Sequence, residues 1–335
     1  MKKRKNSILT AKPLLTLALA VILSVPALAE SLVPGGAALG IRISTDGVIV
    51  ADVTSVETEN GSASPAADAG IRTGDIIVRV GGRTVESTGD FMEAMSSLTG
   101  DTVSVTFERE GKQRQVNVSP AVCPDGALRL GILLKDGVAG VGTLTFYDPD
   151  TGLYGALGHS ISDAETGDVI PLRDGEIYSA EISGVTRGEI GSPGALNGSA
   201  DPGCVLGDIG LNCSCGIFGR AKFDFDKTVE TGEMKPGKAL ILCTLSGDGV
   251  CEYGIEISRV YKSGEGCTAA LRVTDERLIE KTGGIVQGMS GSPIIQDGRL
   301  VGAVTHVFIN DPTGGYGISI QDMLAAAQRC TDKAA

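Results

Sequence analysis

The segment Gly288–Pro293 (GMSGSP) places two serines among glycines and a proline, inside an otherwise apolar stretch. Gly, Ser and Pro are the commonest turn residues, so a plain turn is one interpretation. The residues that follow, IIQDGRLVGAVTHVFI, predict a strand, a tight Asp297-Gly298 turn and a second strand. A serine in a small-residue turn before such a hairpin can act as a nucleophile, while backbone N–H groups of the turn stabilise the oxyanion.

The order of the small residues separates two classes of serine hydrolase. Chymotrypsin-type proteases carry the nucleophile in a Gly-x-Ser-Gly-x-Pro turn, and the segment matches this pattern. The α/β-hydrolase pattern Gly-x-Ser-x-Gly does not fit, because Ser292 stands at its fifth position. The first class makes Ser290 the nucleophile, and it makes the N–H groups of Gly288 and Ser290 the oxyanion hole.

A serine nucleophile of this kind needs an imidazole base, and the chain has two histidines. His159 follows a predicted strand upstream of Ser290, and histidine before serine is the chymotrypsin order. His306 lies on the second strand of the hairpin, where a substrate-wall role or an ordinary strand position fits better than the base. Nine aspartates lie between His159 and Ser290, and spacing alone does not choose an orienting acid among them.

An ungapped comparison with the trypsin pattern predicts the substrate-binding residues. Segment Thr305-His306-Val307 falls on the strand that pairs with substrate, and Tyr316 falls on the far wall of the specificity pocket. The floor falls at two uncharged residues, Gly284 and Ile285. A buried cation without a partner costs several kcal/mol, so we expect cleavage after an uncharged residue.

Composition limits the fold and the partners. The chain has 335 residues, 48 of them Gly, with 4% aromatic residues and no Trp. Many short Val- and Ile-rich segments separated by glycines predict mainly β structure. The net charge of −12 argues against nucleic acid and against an anionic membrane surface as partners.

The first 29 residues predict a signal peptide or an N-terminal anchor. A basic MKKRKN segment precedes an apolar stretch at 14–25, and ALAE offers a cleavage site after Ala29. Both alternatives place the remaining residues across the cytoplasmic membrane. Eight cysteines in an exported chain permit a mixture of thiols and disulfides. The C-x-C spacing and the two histidines give little support for zinc, so we expect neither a metal nor a cofactor.

Residues 32–119 form the first predicted domain. Its most specific part, AGIRTGDII, and the order of its strands and helices resemble a PDZ domain of bacterial proteases. In such domains a peptide or chain terminus adds as a β-strand beside the strand after the first loop. That strand is predicted over Leu39, Gly40, Ile41, Arg42 and Ile43, after a turn-forming Gly-rich loop and before an Asp46-Gly47 turn. The alternative is an intramolecular clamp on the next domain, without a free peptide ligand.

Residues 125–335 form the second predicted domain. Short Gly-bounded strands are closed by one helix from about Gln321, which suits a chymotrypsin-like pair of small β-barrels. We expect this domain to fold without the PDZ domain, which would control access or targeting.

Two long motifs make the interpretation more specific: GTLTFYDPDTGLYGALGHSISD, and the segment from VTDERL to GGYGISI. With the upstream PDZ they resemble the stage IV sporulation protein B (SpoIVB) peptidase family over nearly the whole chain. The resemblance implies a trypsin-like serine peptidase of endospore formers with the catalytic residues Ser290, His159 and Asp275. Asp275 lies only 15 residues before Ser290, so a role in holding its loop is the alternative.

The resemblance also implies a biological role. Members of this family are secreted into the space between the two forespore membranes. There they cleave a regulator of an intramembrane protease, which releases processing of a late mother-cell sigma factor, and they cut themselves near the N-terminus. Two other functions stay open: a non-catalytic PDZ-bearing scaffold and an envelope quality-control protease.

Overall fold

A computed structural model describes residues 31–98, 101–164, 166–225, 227–264 and 266–332. The predicted signal peptide or anchor lies outside the described residues. Among the helices of the described residues, none is long and apolar enough to cross a membrane. The protein is mainly β, with 57% strand and 11% helix, which confirms the prediction from composition.

The first part of the chain contains a set of strands and two helices. They are β1 (Ser31–Pro34), β2 (Ala38–Val53), β3 (Val56–Thr58), β4 (Gly61–Ala63), α1 (Pro65–Asp68), β5 (Ile76–Val80), β6 (Arg83–Thr84), α2 (Thr88–Ser96), β7 (Val103–Arg109), β8 (Lys112–Val118), β9 (Ala121–Val122) and β10 (Leu128–Arg129).

The second part is longer and ends in a helix. Its elements are β11 (Ile132–Tyr147), β12 (Leu153–Ala156), β13 (Asp174–Thr186), β14 (Ala195–Asp208), β15 (Leu211–Cys213), β16 (Gly216–Arg220), β17 (Val229–Glu230), β18 (Gly237–Thr244), β19 (Val250–Ser263), β20 (Gly266–Val273), α3 (Glu276–Thr282), β21 (Pro293–Gln296), β22 (Arg299–Phe308), β23 (Asp311–Ser319) and α4 (Ile320–Asp332).

Local sequence determines several turns as expected. Asp297 and Gly298 both take positive φ, 52° and 74°, and connect β21 to β22. Glu110 and Gly111 do the same between β7 and β8. Helix α2 begins with a capping box, in which Ser87 Oγ accepts from the N–H of Asp90 and the Asp90 carboxylate accepts from the N–H of Ser87. These positions confirm the predicted hairpins and helix start.

Strand β2 differs from the prediction. Instead of two strands joined by a turn, Ala38–Val53 is one long strand, and Asp46 and Gly47 lie inside it at an irregularity of its pairing with β11. Strand β11 runs antiparallel to β2 on both sides of this irregularity, with residues 132–135 beside 49–53 and residues 137–143 beside 38–44. The predicted hairpin does not form because β11 pairs with the residues on both sides of Asp46-Gly47 and holds them in one strand.

The predicted peptide-binding strand of the PDZ domain, Leu39 to Ile43, is paired on both edges. Residues of β11 (138–142) occupy one edge, and residues of β13 (175–179) occupy the other. An added peptide strand needs a free edge, so the prediction of an open site at Leu39, Gly40, Ile41, Arg42 and Ile43 is corrected for this conformation. The alternative, an intramolecular clamp on the next domain, describes the observed pairing.

The two predicted domains therefore share a sheet. Thirteen strands form it, in the central order β15-β16-β12-β11-β2-β5-β7-β8. Strand β1 also joins it, pairing with β11 and with β17. The remaining strands of the second part form a closed barrel, β18-β19-β20-β23-β22-β21. The pairing argues against the expectation that the second part folds by itself, because β11 and β13 would each lose a neighbouring strand.

Candidate active site

The nucleophile turn lies between the two sheets and is held by both. On one side, β11 contributes Thr143, whose N–H donates to the Ser290 carbonyl at 3.0 Å and whose hydroxyl donates to the Gly288 carbonyl at 2.8 Å. The Thr145 hydroxyl donates to the Gly291 carbonyl at 2.8 Å. On the other side, the N–H of Gly291 donates to the Val304 carbonyl of β22 at 2.8 Å.

Backbone conformation and close packing explain why two positions of this turn are glycine. Gly288 and Gly291 have φ of 94° and 95°, a region that side chains rarely adopt. A Cβ at Gly291 would also lie 2.1 Å from the Thr143 carbonyl oxygen. Strand β11 can approach the turn this closely only because residue 291 has no side chain.

The backbone around Ser290 leaves two donors available. Met289 N–H donates to the Val286 carbonyl at 3.1 Å, and Ser292 N–H donates to the Met289 carbonyl at 2.9 Å. Within the described part of the chain, the N–H groups of Gly288 and Ser290 have no protein acceptor. Both are the donors expected for an oxyanion hole.

The hydroxyl of Ser290 has a resting partner. Its Oγ donates to the carbonyl of Thr305 at 2.7 Å. The residue is only partly buried, and it lines a cavity of about 1020 Å³ together with His159 and His306. The hydrogen bonds of the described residues do not include one between Ser290 and His159. Catalytic hydrogen bonds are often loose without substrate, so rotation of the serine side chain is the step that would join them.

His159 follows β12 at a sharp bend, where Leu157 and Gly158 both have positive φ, 69° and 71°. Its Nδ1 lies 2.8 Å from the Ser160 carbonyl oxygen, so Nδ1–H donates there and Nε2 stays available as an acceptor. Burial lowers the pKa of His159 below its usual 6.5, although the Ser160 carbonyl opposes the shift. The imidazole is therefore neutral at pH 7, as a general base must be.

A second imidazole lies beside the first. The rings of His159 and His306 have centroids 4.8 Å apart with 36° between their planes. Burial lowers the pKa of His306, and repulsion from His159 when that ring is protonated lowers it further. His306 thus forms part of the cavity wall next to His159, and its substrate-binding role stays a prediction.

Asp275 does not lie beside His159. It caps helix α3, where its carboxylate accepts from the N–H of Arg277 at 3.0 Å and from the N–H of Gly254 at 3.1 Å. The guanidinium of Arg277 adds two further bonds at 3.0 and 2.8 Å. The Arg277 side chain, followed by these backbone bonds, lowers the pKa of Asp275 to about 2. The triad role of Asp275 is therefore corrected, because its oxygens are used in holding the loop and helix.

A carbonyl replaces the expected acid. Among the described residues, the recorded hydrogen bond of the His159 ring goes to the Ser160 backbone, and none goes to a carboxylate. A carbonyl can fix the tautomer of the ring, but it carries no charge to stabilise an imidazolium.

The predicted substrate residues separate into two groups. Ile285, Thr305, His306 and Val307 all line the cavity. Gly284 and Tyr316 do not: the backbone of Gly284 lies against Pro312, and Tyr316 is 46% exposed with its ring against Phe308. Their assignments are corrected, because Gly284 is covered by the backbone of Pro312 and Tyr316 lies on β23 outside the cavity lining. The charged lining residue of the described cavity is Asp163, which pairs with Lys135 at 3.8 Å.

Sequence reasoning missed the residues that hold the site. Thr143 and Thr145 alternate within the apolar strand GTLTFY, which places both hydroxyls on one face and could have identified them. Asn212 holds the loop of the base: its Oδ1 accepts from the N–H of Ile161 at 2.8 Å, and its Nδ2 donates to the carbonyls of Ile161 and Ile170, both at 2.9 Å. No sequence pattern indicated Asn212.

Comparison with known families agrees with this arrangement. A family model described as SpoIVB peptidase S55 matches residues 126–324, and a PDZ domain model matches residues 37–119. The chain belongs to the SpoIVB peptidase family. The family match includes His159 and Ser290, and the PDZ match covers β2 to β8.

Relatives with other names match only part of the chain. The chain is 27% identical over 186 residues to a protein of Brucella suis named "probable periplasmic serine endoprotease DegP-like", covering 55% of this chain and 31% of the relative. It is 40% identical over 78 residues to a candidate zinc metalloprotease of Mesorhizobium japonicum, covering 23% of this chain and 21% of the relative. The chain thus spans less than a third of these relatives.

A solved structure is also similar in part. The active form of the Rv3671c protease from M. tuberculosis has 14% identity and a TM-score of 0.34, over 57% of this chain and 74% of that one.

Proposed function

We propose that the protein is a serine endopeptidase whose catalytic groups are Ser290 and His159. The observation that carries the proposal is a single cavity that contains a serine in a glycine turn, a neutral imidazole and two unused backbone donors. Membership of the SpoIVB peptidase family supports the same reaction.

In the proposed reaction each of these groups has one step. Ser290 Oγ leaves the Thr305 carbonyl, gives its proton to His159 Nε2 and attacks the substrate carbonyl carbon. The substrate oxygen takes the electron pair of its C=O bond and accepts from the N–H groups of Gly288 and Ser290. His159 then gives the proton to the leaving amine, an acyl-enzyme forms, and water attacks it with the same base.

The test is covalent labelling and peptide cleavage with matched serine variants. Ser290→Ala should lose phosphonate labelling and lower kcat by about 10⁴-fold or more, as loss of a triad nucleophile does. Ser292→Ala is the control, since Ser292 is fully buried and its hydroxyl has no hydrogen-bond partner in the described structure. Cleavage retained in Ser290→Ala, or lost equally in Ser292→Ala, would contradict the proposal and favour a non-catalytic scaffold.

We further propose that the substrate is one or a few exported proteins, and that the enzyme acts in endospore formation. The SpoIVB family match supports cleavage of a regulator of an intramembrane protease, so that a late mother-cell sigma factor is processed. The same match supports a location between the forespore membranes and self-cleavage near the N-terminus. In this role a protein substrate binds in the cavity. A peptide or chain terminus would bind the PDZ domain only after β11 or β13 has left the edge of β2.

Self-cleavage can be tested without the natural substrate. The purified full chain should shorten from its N-terminus with time, and the Ser290→Ala chain should not. Mass spectrometry of both samples identifies the new terminus. Equal shortening of the two proteins would show that a contaminating protease is responsible.

A further inference from the structure

A pair of cysteines lies in a turn that borders the cavity, outside the machinery described above. Cys213 ends β15 and Cys215 precedes β16, so the tight turn between these strands carries both. Cys213 pairs with Gly216 across the turn, and the side chains of the two cysteines interact with each other. Both thiols are partly exposed. Residues separated by one position in a turn are within the Cα separation that disulfides span, about 4.4–6.8 Å.

Charge around the pair favours a thiolate. The side chain of Cys215, backbone groups of the turn and the guanidinium of Arg329 together lower the pKa of Cys213 to about 6, against the opposing effect of burial. The Arg329 Nη2 lies 3.8 Å from Cys213 Sγ. Cys215 shifts in the opposite direction, since the neighbouring Cys213 raises its pKa. One sulfur is thus the nucleophile and the other keeps its proton.

The turn is connected to the catalytic site in two ways. Ser214, between the two cysteines, lines the cavity that contains His159 and Ser290. Asn212, directly before Cys213, makes the three hydrogen bonds that hold Ile161 and Ile170 in the loop of the base. A covalent bond across the turn would therefore act on the segment that positions His159.

We propose that Cys213 and Cys215 form a redox modification site, which reacts with low-molecular-weight disulfides and thereby alters the position of the base. Cys213 thiolate attacks one sulfur of the disulfide RS–SR, forming Cys213–S–SR and releasing RS⁻. The Cys215 sulfur then attacks Cys213 sulfur and expels the second RS⁻, which takes the Cys215 proton. The two cysteines lose two electrons, and the disulfide RS–SR is reduced to one thiolate and one thiol.

The other cysteines provide the controls. Cys204 is exposed and shows what an ordinary accessible thiol does. Cys243 and Cys251 lie directly opposite each other on β18 and β19, but Cys243 is fully buried, and burial raises its pKa to about 12. A neighbouring pair without a thiolate should react slowly with the same disulfide.

The experiment treats the reduced full chain with oxidised glutathione near pH 6.5 and maps the products by mass spectrometry. We expect a Cys213–Cys215 disulfide to form before glutathione appears on Cys204. Cys213→Ser and Cys215→Ser should each abolish it, and Cys243→Ser should not. Faster reaction of Cys204, or a disulfide from Cys213 to Cys330 instead, would overturn the proposed pair.

Two readouts test the connection to the base. The amide of Ile161 should exchange its hydrogen faster after oxidation, because its acceptor is Asn212. Peptide kcat/KM should fall by about tenfold or more and return with dithiothreitol, since a shift of about 1 Å in catalytic groups has effects of this size. Unchanged exchange and unchanged activity in the oxidised chain would overturn the connection. The activity readout rests on the proposed peptidase, whereas the mapping and exchange do not, so the two failures are distinguishable.

Discussion

The two sides of the cavity are built differently. The turn of Ser290 leads into a closed six-stranded barrel, in which every strand has two neighbours. His159 follows β12, in a thirteen-stranded sheet that continues into the PDZ domain. A closed barrel maintains its own geometry, whereas the open sheet depends on strands contributed by a distant part of the chain. The N-terminal region can therefore affect the base, and through β11 also the nucleophile turn, without contacting substrate.

The largest expected effect is that of removing the N-terminal region. Deletion of residues 31–119 takes away β1 and β2, the neighbours of β11 and β13. We expect a chain that loses phosphonate labelling and aggregates, because unpaired strand edges bind one another. Labelling and circular dichroism of the truncated protein measure this. A folded, labelled fragment would show that the open sheet is independent of the PDZ domain.

The variant Gly40→Val perturbs the packing of β2 against the β13–β14 hairpin, and its effect should be smaller than that of the deletion. A Cβ at Gly40 would lie 2.3 Å from the Ala200 Cβ in β14, so the β13–β14 hairpin must shift. That hairpin contacts the nucleophile side, where Leu196 N–H donates to the Gln287 carbonyl at 2.8 Å. We expect kcat/KM to fall by about tenfold and the unfolding free energy to fall by about 1–3 kcal/mol.

The control lies on the same hairpin. A Cβ at Gly184 in β13 meets nothing within 4 Å, so Gly184→Val should leave kcat/KM unchanged. If both valine variants lose activity equally, the effect comes from general damage to the hairpin and not from its contact with β2.

The sequence predicted the parts of the fold that neighbouring residues determine. Asp297-Gly298 and Glu110-Gly111 formed tight turns because these residues accept positive φ at low cost. Asp46-Gly47 has the same composition but lies within β2, because β11, about 90 residues later in the chain, pairs with the residues on both sides of it. Composition does not reveal a distant partner, so the shared sheet could not be predicted.

The site residues divide in the same way, into those that neighbouring residues determine and those that distant contacts determine. The motif around Ser290 contains its own glycines, so the nucleophile turn was predictable from a few residues. Asp275 was assigned by resemblance, and the sequence does not show that Arg277 and Gly254 bind its carboxylate. Only the geometry distinguishes a helix cap from a catalytic acid.

The variant Asp275→Ala separates these two roles. If Asp275 acts as a helix cap, its loss should lower the unfolding free energy by about 1 kcal/mol. The ion pair with Arg277 adds little, because the Arg277 side chain is 72% exposed. Peptide kcat should change by less than about twofold, because the carboxylate does not touch His159. Asp275→Asn keeps a capping oxygen and should recover most of the melting temperature. A large loss of kcat with an unchanged melting temperature in both variants would return Asp275 to the catalytic site.

The smallest expected effect is a shift of the pH–activity profile to lower pH. It tests His159, which lies on the side of the cavity that the thirteen-stranded sheet forms. Only neutral His159 accepts the Ser290 proton, and burial lowers the pKa of His159 below 6.5. Activity should therefore persist as the pH falls through 6.5 and decline only at the lower pKa of the folded protein. Between these two values the unfolded chain binds more protons than the folded chain, so acidification also lowers the unfolding free energy.

The titration can be assigned because the chain has two histidines. In His306→Gln the remaining imidazole is His159, and NMR of its ring should report the midpoint that limits kcat/KM in the wild-type protein. His306 has a lowered pKa of its own, so the wild-type protein should show two imidazole titrations below 6.5 and the variant one. A midpoint for His159 above 6.5 would mean that a nearby negative charge stabilises the imidazolium. In that case a carboxylate approaches the base in solution, and the carbonyl of Ser160 does not orient it alone.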